Sequence, residues 1–147
     1  MNGSDEIPRV VVGVDGSPAS DEALRWAVRH ARQIGATVDA VAAYAIPGAA
    51  GLSAPVVAAG FDEARARQDL DDEIQKVLVQ VGDVPLEQHL LRGGAANALI
   101  QASAGAELLV VGSRGRGGFA SLLLGSVTQQ CALHASCPVV IVRPGTR

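Results

Sequence analysis

"IPRVVVGVDGSPASDEALRWAVRHARQIGATVDAVAAYAI" (residues 7–46) decides the fold. It opens on a short β-branched run that ends at Asp15. A polar turn follows, then a long helical pattern, then a second apolar run. The helix carries its own boundary marks. Ser17 is a good N-cap, Pro18 suits the first helical position, and Asp21 and Glu22 favour the positive start of a helix. Leu24, Ala27, Val28, Ala31 and Ile34 recur at helical spacing, and Gly35 stops the pattern.

The same alternation runs to the end of the chain. Residues 46–60 form a long Pro/Gly/Ala-rich connection, longer than most βα loops, which reads as a functional flap or a partly disordered segment. A second helix spans about residues 61–81, with Leu70, Ile74, Val77, Leu78 and Val81 on one face. Its charged residues, Asp71, Asp72 and Glu73 among them, read as a solvated face. Adjacent helical residues point apart, which argues against a metal site there. "VPLEQHLLR" (84–92) is a third strand, "GGAANALIQASAGA" (93–106) a short helix and "ELLVVGS" (107–113) a fourth strand. "SVTQQCALHAS" (126–136) is a fourth helix, and "CPVVIVR" (137–143) is a fifth strand. Five strands alternating with four helices imply an α/β fold, a parallel sheet covered on both faces. The near-continuous apolar strands 1, 4 and 5 fit central positions. Ligands of such folds sit beyond the C-terminal strand ends, where Asp15-Gly16-Ser17 and the residues from Gly112 onward leave their strands.

The 147 residues fit a single domain, with residues 1–7 as a flexible N-terminus. Apolar residues make up 48% and aromatics 3%, so the core is built of Ala, Val, Leu and Ile. No apolar run reaches the ~20 residues of a membrane span. The first residues lack a basic stretch followed by an apolar one, so the expected location is the cytoplasm. A net charge of -3 speaks against nucleic acid as a partner. Cys131 and Cys137 read as small buried thiols without zinc-ligand spacing. His30, His89 and His134 are scattered over different elements, with no pair placed for a metal and no Ser-His-Asp arrangement. Trp26 reads as a packing or interface residue.

The glycine-rich stretch after strand 4, "VVGSRGRGGFASLLLGS" (110–126), admits three readings. A P-loop requires G-x4-G-K-[ST], but the only lysine is Lys76, in the second helix. A dinucleotide fingerprint fits Gly115-x-Gly117-x-x-Ala120, but it wants an acid about 20 residues on, and no Asp or Glu follows Glu107. The third reading uses Gly112-x2-Gly115-x9-Gly125-Ser126. Gly112 and Gly115 let the backbone approach a ligand closely. Gly125 and Ser126 open a helix whose free N–H groups and dipole attract an anion, with the Ser126 hydroxyl as cap or phosphate donor. Arg114 and Arg116 add positive charge. Formal charge beyond Glu107 is carried by arginines alone, which suits a polyphosphate. Gly117 and Gly118 read as spacer.

The G-x2-G-x9-G-[ST] pattern, the "VVGVDGS" start, the "LLVVGSRGRGG" run and the "SCPVVIVR" ending resemble the universal stress protein family, nucleotide-binding type, over most of the chain. The resemblance implies a three-layer, Rossmann-like fold of the adenine nucleotide alpha hydrolase kind, with strand order 3-2-1-4-5. It implies ATP at the C-terminal strand ends. Asp15 would sit by ribose and adenine, and the backbone near Tyr44 would meet the adenine. Gly112, Arg114 and Gly115 would line the ribose and first phosphates. Gly125, Ser126 and the Val127 amide would hold the phosphate chain, with Mg²⁺ bridging it. It also implies a homodimer joined through the last strand, bounded by Pro138 and Arg143.

With no positioned general base and no catalytic lysine in this pattern, ATP would regulate shape or partners rather than feed fast chemistry. Two other readings stay open: a slow ATPase or adenylyl-transferring enzyme, and a partner-binding dimer whose site holds AMP, cyclic AMP or nothing.

Overall fold

A computed structural model describes residues 6–44, 62–115 and 124–145. The expectations placed on residues 46–60, on Gly117 and Gly118, and on residues 1–5 lie outside them.

Strands β1 (Arg9–Gly13), β2 (Thr37–Tyr44), β3 (Leu86–Arg92), β4 (Leu108–Gly112) and β5 (Val139–Val142) form one sheet in the order β3-β2-β1-β4-β5. All four pairings are parallel. Helices α1 (Pro18–Ile34), α2 (Glu63–Val81), α3 (Ala95–Ala102) and α4 (Ser126–His134) make the crossovers. The expected parallel α/β fold and its strand order are both present.

Local chemistry sets the helix ends. Ser17 Oγ accepts the Ser20 amide at 3.2 Å, Pro18 opens α1, and Gly35 closes it in the left-handed conformation at φ 70°. Asp62 caps α2 by accepting the Arg65 amide at 3.1 Å.

Two cores cover the sheet. Val10, Val12, Val38, Ala40 and Val110 meet Leu24 and Val28 of α1 and Leu70, Ile74 and Val77 of α2 on one face. Val11, Val41, Leu109 and Val111 meet Leu99 of α3 and Cys131 of α4 on the other. Period-two alternation along the strands sends adjacent valines to opposite layers, and each such side chain contributes about 1.5–3 kcal/mol on burial.

The apolar run of β5 alone suggests a central position, but the strand lies at the edge, as the order 3-2-1-4-5 requires. It is an edge strand, half-buried, with Ile141 36% exposed. Its apolar run is therefore an open sheet edge rather than a core strand.

At the N-terminal end of the strands, Arg9 donates to Asp39 at 2.8 Å and to the carbonyl of Ala104, just past α3, at 2.9 Å. His89 Nε2 lies 3.4 Å from Asp39 Oδ1 and 3.7 Å from Glu87 Oε1. Sequence spacing hid this group, because strand register alone brings Asp39 beside Glu87. The Arg9 guanidinium already supplies the cation that the buried Asp39 carboxylate needs.

Among the described residues, no helix is long and apolar enough to cross a membrane.

Candidate functional site

The chain winds from β1 outward to β3, then returns to lay β4 beside β1. This reversal opens a crevice at the C-terminal ends of β1 and β4. A cleft of about 660 Å³ occupies it, a size that suits a nucleotide. Asp15, Tyr44, Gly112, Arg114, Gly115 and Val127 all line it.

Asp15 sits on the turn between β1 and α1. Its Oδ1 accepts the Ser17 amide at 2.9 Å, and its own amide donates to Ser20 Oγ at 3.1 Å. Gly16 takes φ 81°, which a side chain would oppose. One carboxylate oxygen therefore braces the turn. The other reaches across the crevice: a Cβ on Gly115 would stand 2.7 Å from Asp15 Oδ2.

The two loop glycines act differently. The side-chain-free face of Gly112 is turned to helix α1, where an added Cβ would lie 2.7 Å from both the carbonyl carbon and the Cβ of Ala19. Gly112 thus permits α1 to close on β4, and Gly115 keeps the cleft open beside Asp15.

The start of α4 differs in detail from the expectation. Gly125 is the N-cap and Ser126 the first helical residue, with no side chain capping the helix. The Gly125 amide is not free, since it donates to the Ser113 carbonyl at 2.8 Å. The next amides, those of Ser126, Val127 and Thr128, have no intrahelical acceptor; Val127 and Thr128 line the cleft, whereas Gly125 and Ser126 are not among its lining residues. Thr128 was not singled out from sequence. It is buried, lines the cleft and donates its hydroxyl to the Gly112 carbonyl at 2.6 Å, tying α4 to the end of β4.

At β2 the Tyr44 backbone is engaged within the sheet. The Tyr44 carbonyl accepts the Gly93 amide at 2.6 Å, on the β3 side. Alternate residues of a parallel strand bond to opposite neighbours. Val41 faces β1, where its carbonyl accepts the Val14 amide at 2.9 Å. Ala43 is next in that series, one step past the last β1–β2 rung, and it lines the cleft.

Helix α2 forms the remaining wall with Asp69, Leu70, Asp72 and Glu73. The expected solvated face is only partly solvated, because the N-terminal half of α2 passes the strand ends. Glu73 and Lys76 turn inward to Asp21 of α1. The wall is acidic, and Arg114 also lines the cleft. Oxygen donors of the Asp15 type suit Mg²⁺.

The sequence profile of the universal stress protein family matches residues 6–143. The chain belongs to the universal stress protein family. Within the family, a universal stress protein of Mycolicibacterium smegmatis is 35% identical over 137 residues, 92% of this chain and 45% of that protein. The chain thus spans about half the length of such curated relatives. Among solved structures, the universal stress protein UspA of Lactobacillus plantarum superposes with a TM-score of 0.80 at 22% identity, over 94% of this chain and 99% of that one. A universal stress protein solved in complex with cyclic AMP superposes with a TM-score of 0.66 at 28% identity, over 95% and 98%.

Proposed function

We propose that the cleft binds an adenine nucleotide, with ATP and Mg²⁺ as the leading ligand, and that the bound nucleotide sets the shape or partners of a stress-response protein. The observation that carries this reading is a convergence. The Asp15 carboxylate, the Ala43 backbone, Gly115 and the first amides of α4 all meet in one crevice at the strand reversal. Ala43 offers a donor and an acceptor for the adenine edge. Asp15 offers a carboxylate for ribose hydroxyls. Helix α4 offers amides and a dipole for phosphate, with Arg114 beside them. The cyclic AMP bound by a structural relative supports the same ligand class.

In this reading, Gly112 acts through packing and Gly125 through its bond to Ser113, and both hold the cradle rather than touch the ligand. The protein works as a cytoplasmic homodimer whose β5 edges, between Pro138 and Arg143, pair with one another.

Calorimetric titration with ATP and Mg²⁺, then with AMP and cyclic AMP, tests the ligand. Binding of ATP with loss on Gly115→Ala is the expected result. No binding of any of the three at millimolar concentration overturns the reading.

A further inference from the structure

Among the described residues, two buried carboxylate oxygens have no hydrogen-bond partner: Asp21 Oδ1 and Glu73 Oε2. Buried polar atoms are rarely left so. The two residues stand on different helices, and one ammonium holds the second oxygen of each. Lys76 Nζ lies 3.1 Å from Asp21 Oδ2 and 3.0 Å from Glu73 Oε1. Two carboxylates and one ammonium leave a surplus negative charge, on side chains only 13% and 23% exposed.

A single proton held by the two carboxyls on their shared lysine resolves both problems. One carboxyl becomes a donor, the other accepts, and the triad becomes neutral. The Glu73 carboxyl is raised above its ordinary value, first by burial and then by the neighbouring Asp21 carboxyl, against the opposing pull of Lys76.

We propose that Asp21 and Glu73 share one proton across the α1–α2 contact and so form a pH-sensitive brace on the wall of the nucleotide cleft. The coupling to ligand rests on the nucleotide reading above; the shared proton does not.

The surrounding charges leave this role to the triad. On α1, Glu22 and Arg25 pair with each other at 3.0 Å. On α2, Asp69 and Asp72 add negative charge on the cleft side. Strand β3 turns Gln88 toward α2, where it donates to Asp71 at 2.7 Å, and exposed Arg92 ends the strand. Asp15 and Arg114 also line the cleft.

The brace reaches the ligand by a short path. Asp21 follows Ser20, whose hydroxyl accepts the Asp15 amide, and both Ser20 and Glu73 line the cleft. Losing the shared proton adds a negative charge to an already acidic wall. An anionic nucleotide therefore binds more weakly as pH rises, and by reciprocity its binding draws a proton onto the pair.

The test has two arms on the full chain. In the first, without nucleotide, side-chain carboxyl NMR and urea stability are followed against pH. Glu73 should titrate above its ordinary value. The stability given by the shared proton is complete below the ordinary Glu value of 4.5 and is lost as pH rises through the raised value of Glu73. Glu73→Gln and, independently, Asp21→Asn should remove this loss, because an amide donates at every pH. Titration of Glu73 at its ordinary value, or an unchanged pH slope in both variants, overturns the shared proton.

In the second arm, cyclic AMP is the probe, because its phosphodiester keeps one charge across the range. Wild-type affinity should fall with rising pH, by at most about tenfold per pH unit for one proton, and Glu73→Gln should flatten the profile. A flat wild-type profile overturns the coupling. Absence of binding at every pH overturns both nucleotide reading and coupling, while the first arm still decides the shared proton.

Discussion

Asp15 Oδ2 faces the α-carbon of Gly115 so closely that a methyl group there would stand 2.7 Å from it. The contact joins the end of β1 to the loop after β4, and it lies in the cleft wall. Gly115→Ala should therefore push the Asp15 carboxylate aside. Nucleotide affinity should fall about tenfold or more, equivalent to about 1.4 kcal/mol, with little change in the urea midpoint. Calorimetry and urea unfolding on the same variant separate the two effects.

Gly112→Ala should behave in the opposite way. Its Cβ would meet the backbone of Ala19 at 2.7 Å, inside the α1–β4 packing, where no flexible side-chain end can yield. Overpacking of this kind costs about 1–3 kcal/mol. The urea midpoint should fall before any ligand is added, and a midpoint equal to wild type would show that α1 can shift.

Thr128→Val keeps the shape of a buried side chain and removes its hydroxyl. The Gly112 carbonyl then loses a donor at 2.6 Å. A loss of about 1–3 kcal/mol in stability is expected for a buried acceptor left unpaired. Amide exchange at the start of α4 should also quicken, because this bond ties the helix to β4.

The two cysteines should react at different rates. Burial pushes the Cys131 thiol above its ordinary value and shields it in the α4-side core, whereas Cys137 is half-buried beside β5. Iodoacetamide at neutral pH should label Cys137 first. Mass mapping should find Cys131 modified only once the chain is unfolded.

Ile141→Lys should separate a homodimer joined at β5. The residue is 36% exposed on an edge strand, and an edge lysine opposes strand pairing. Sedimentation should show monomers with an unchanged circular dichroism spectrum. A wild type that is monomeric at high concentration rules out the β5 pairing itself.

Local chemistry was the legible part of the sequence. Ser17, Pro18 and Gly35 mark α1 because caps and φ preferences act within a few residues. The strand alternation gave the fold class for the same reason, but periodicity alone carries no strand order. That came through the family resemblance. Positions set by register or tertiary approach stayed hidden. Ala43 looks like any strand alanine until β1 ends one rung earlier. Asp69, Asp72 and Glu73 read as solvated because charge on a helix reports polarity, not the direction of a neighbouring cleft. Gly112 and Gly115 both line the cleft, yet spacing could not tell that one packs a helix and the other stands against a carboxylate.

Lys76 is the only lysine in the chain, half-exposed, and it grips two carboxylates from neighbouring helices. An amine-selective acylating reagent therefore meets a single side-chain target besides the chain's terminal amine. Mild acetylation would erase one charge at one known place and leave Asp21 and Glu73 without the ammonium they share. This chain can thus be edited chemically at the α1–α2 junction, without a change in its sequence.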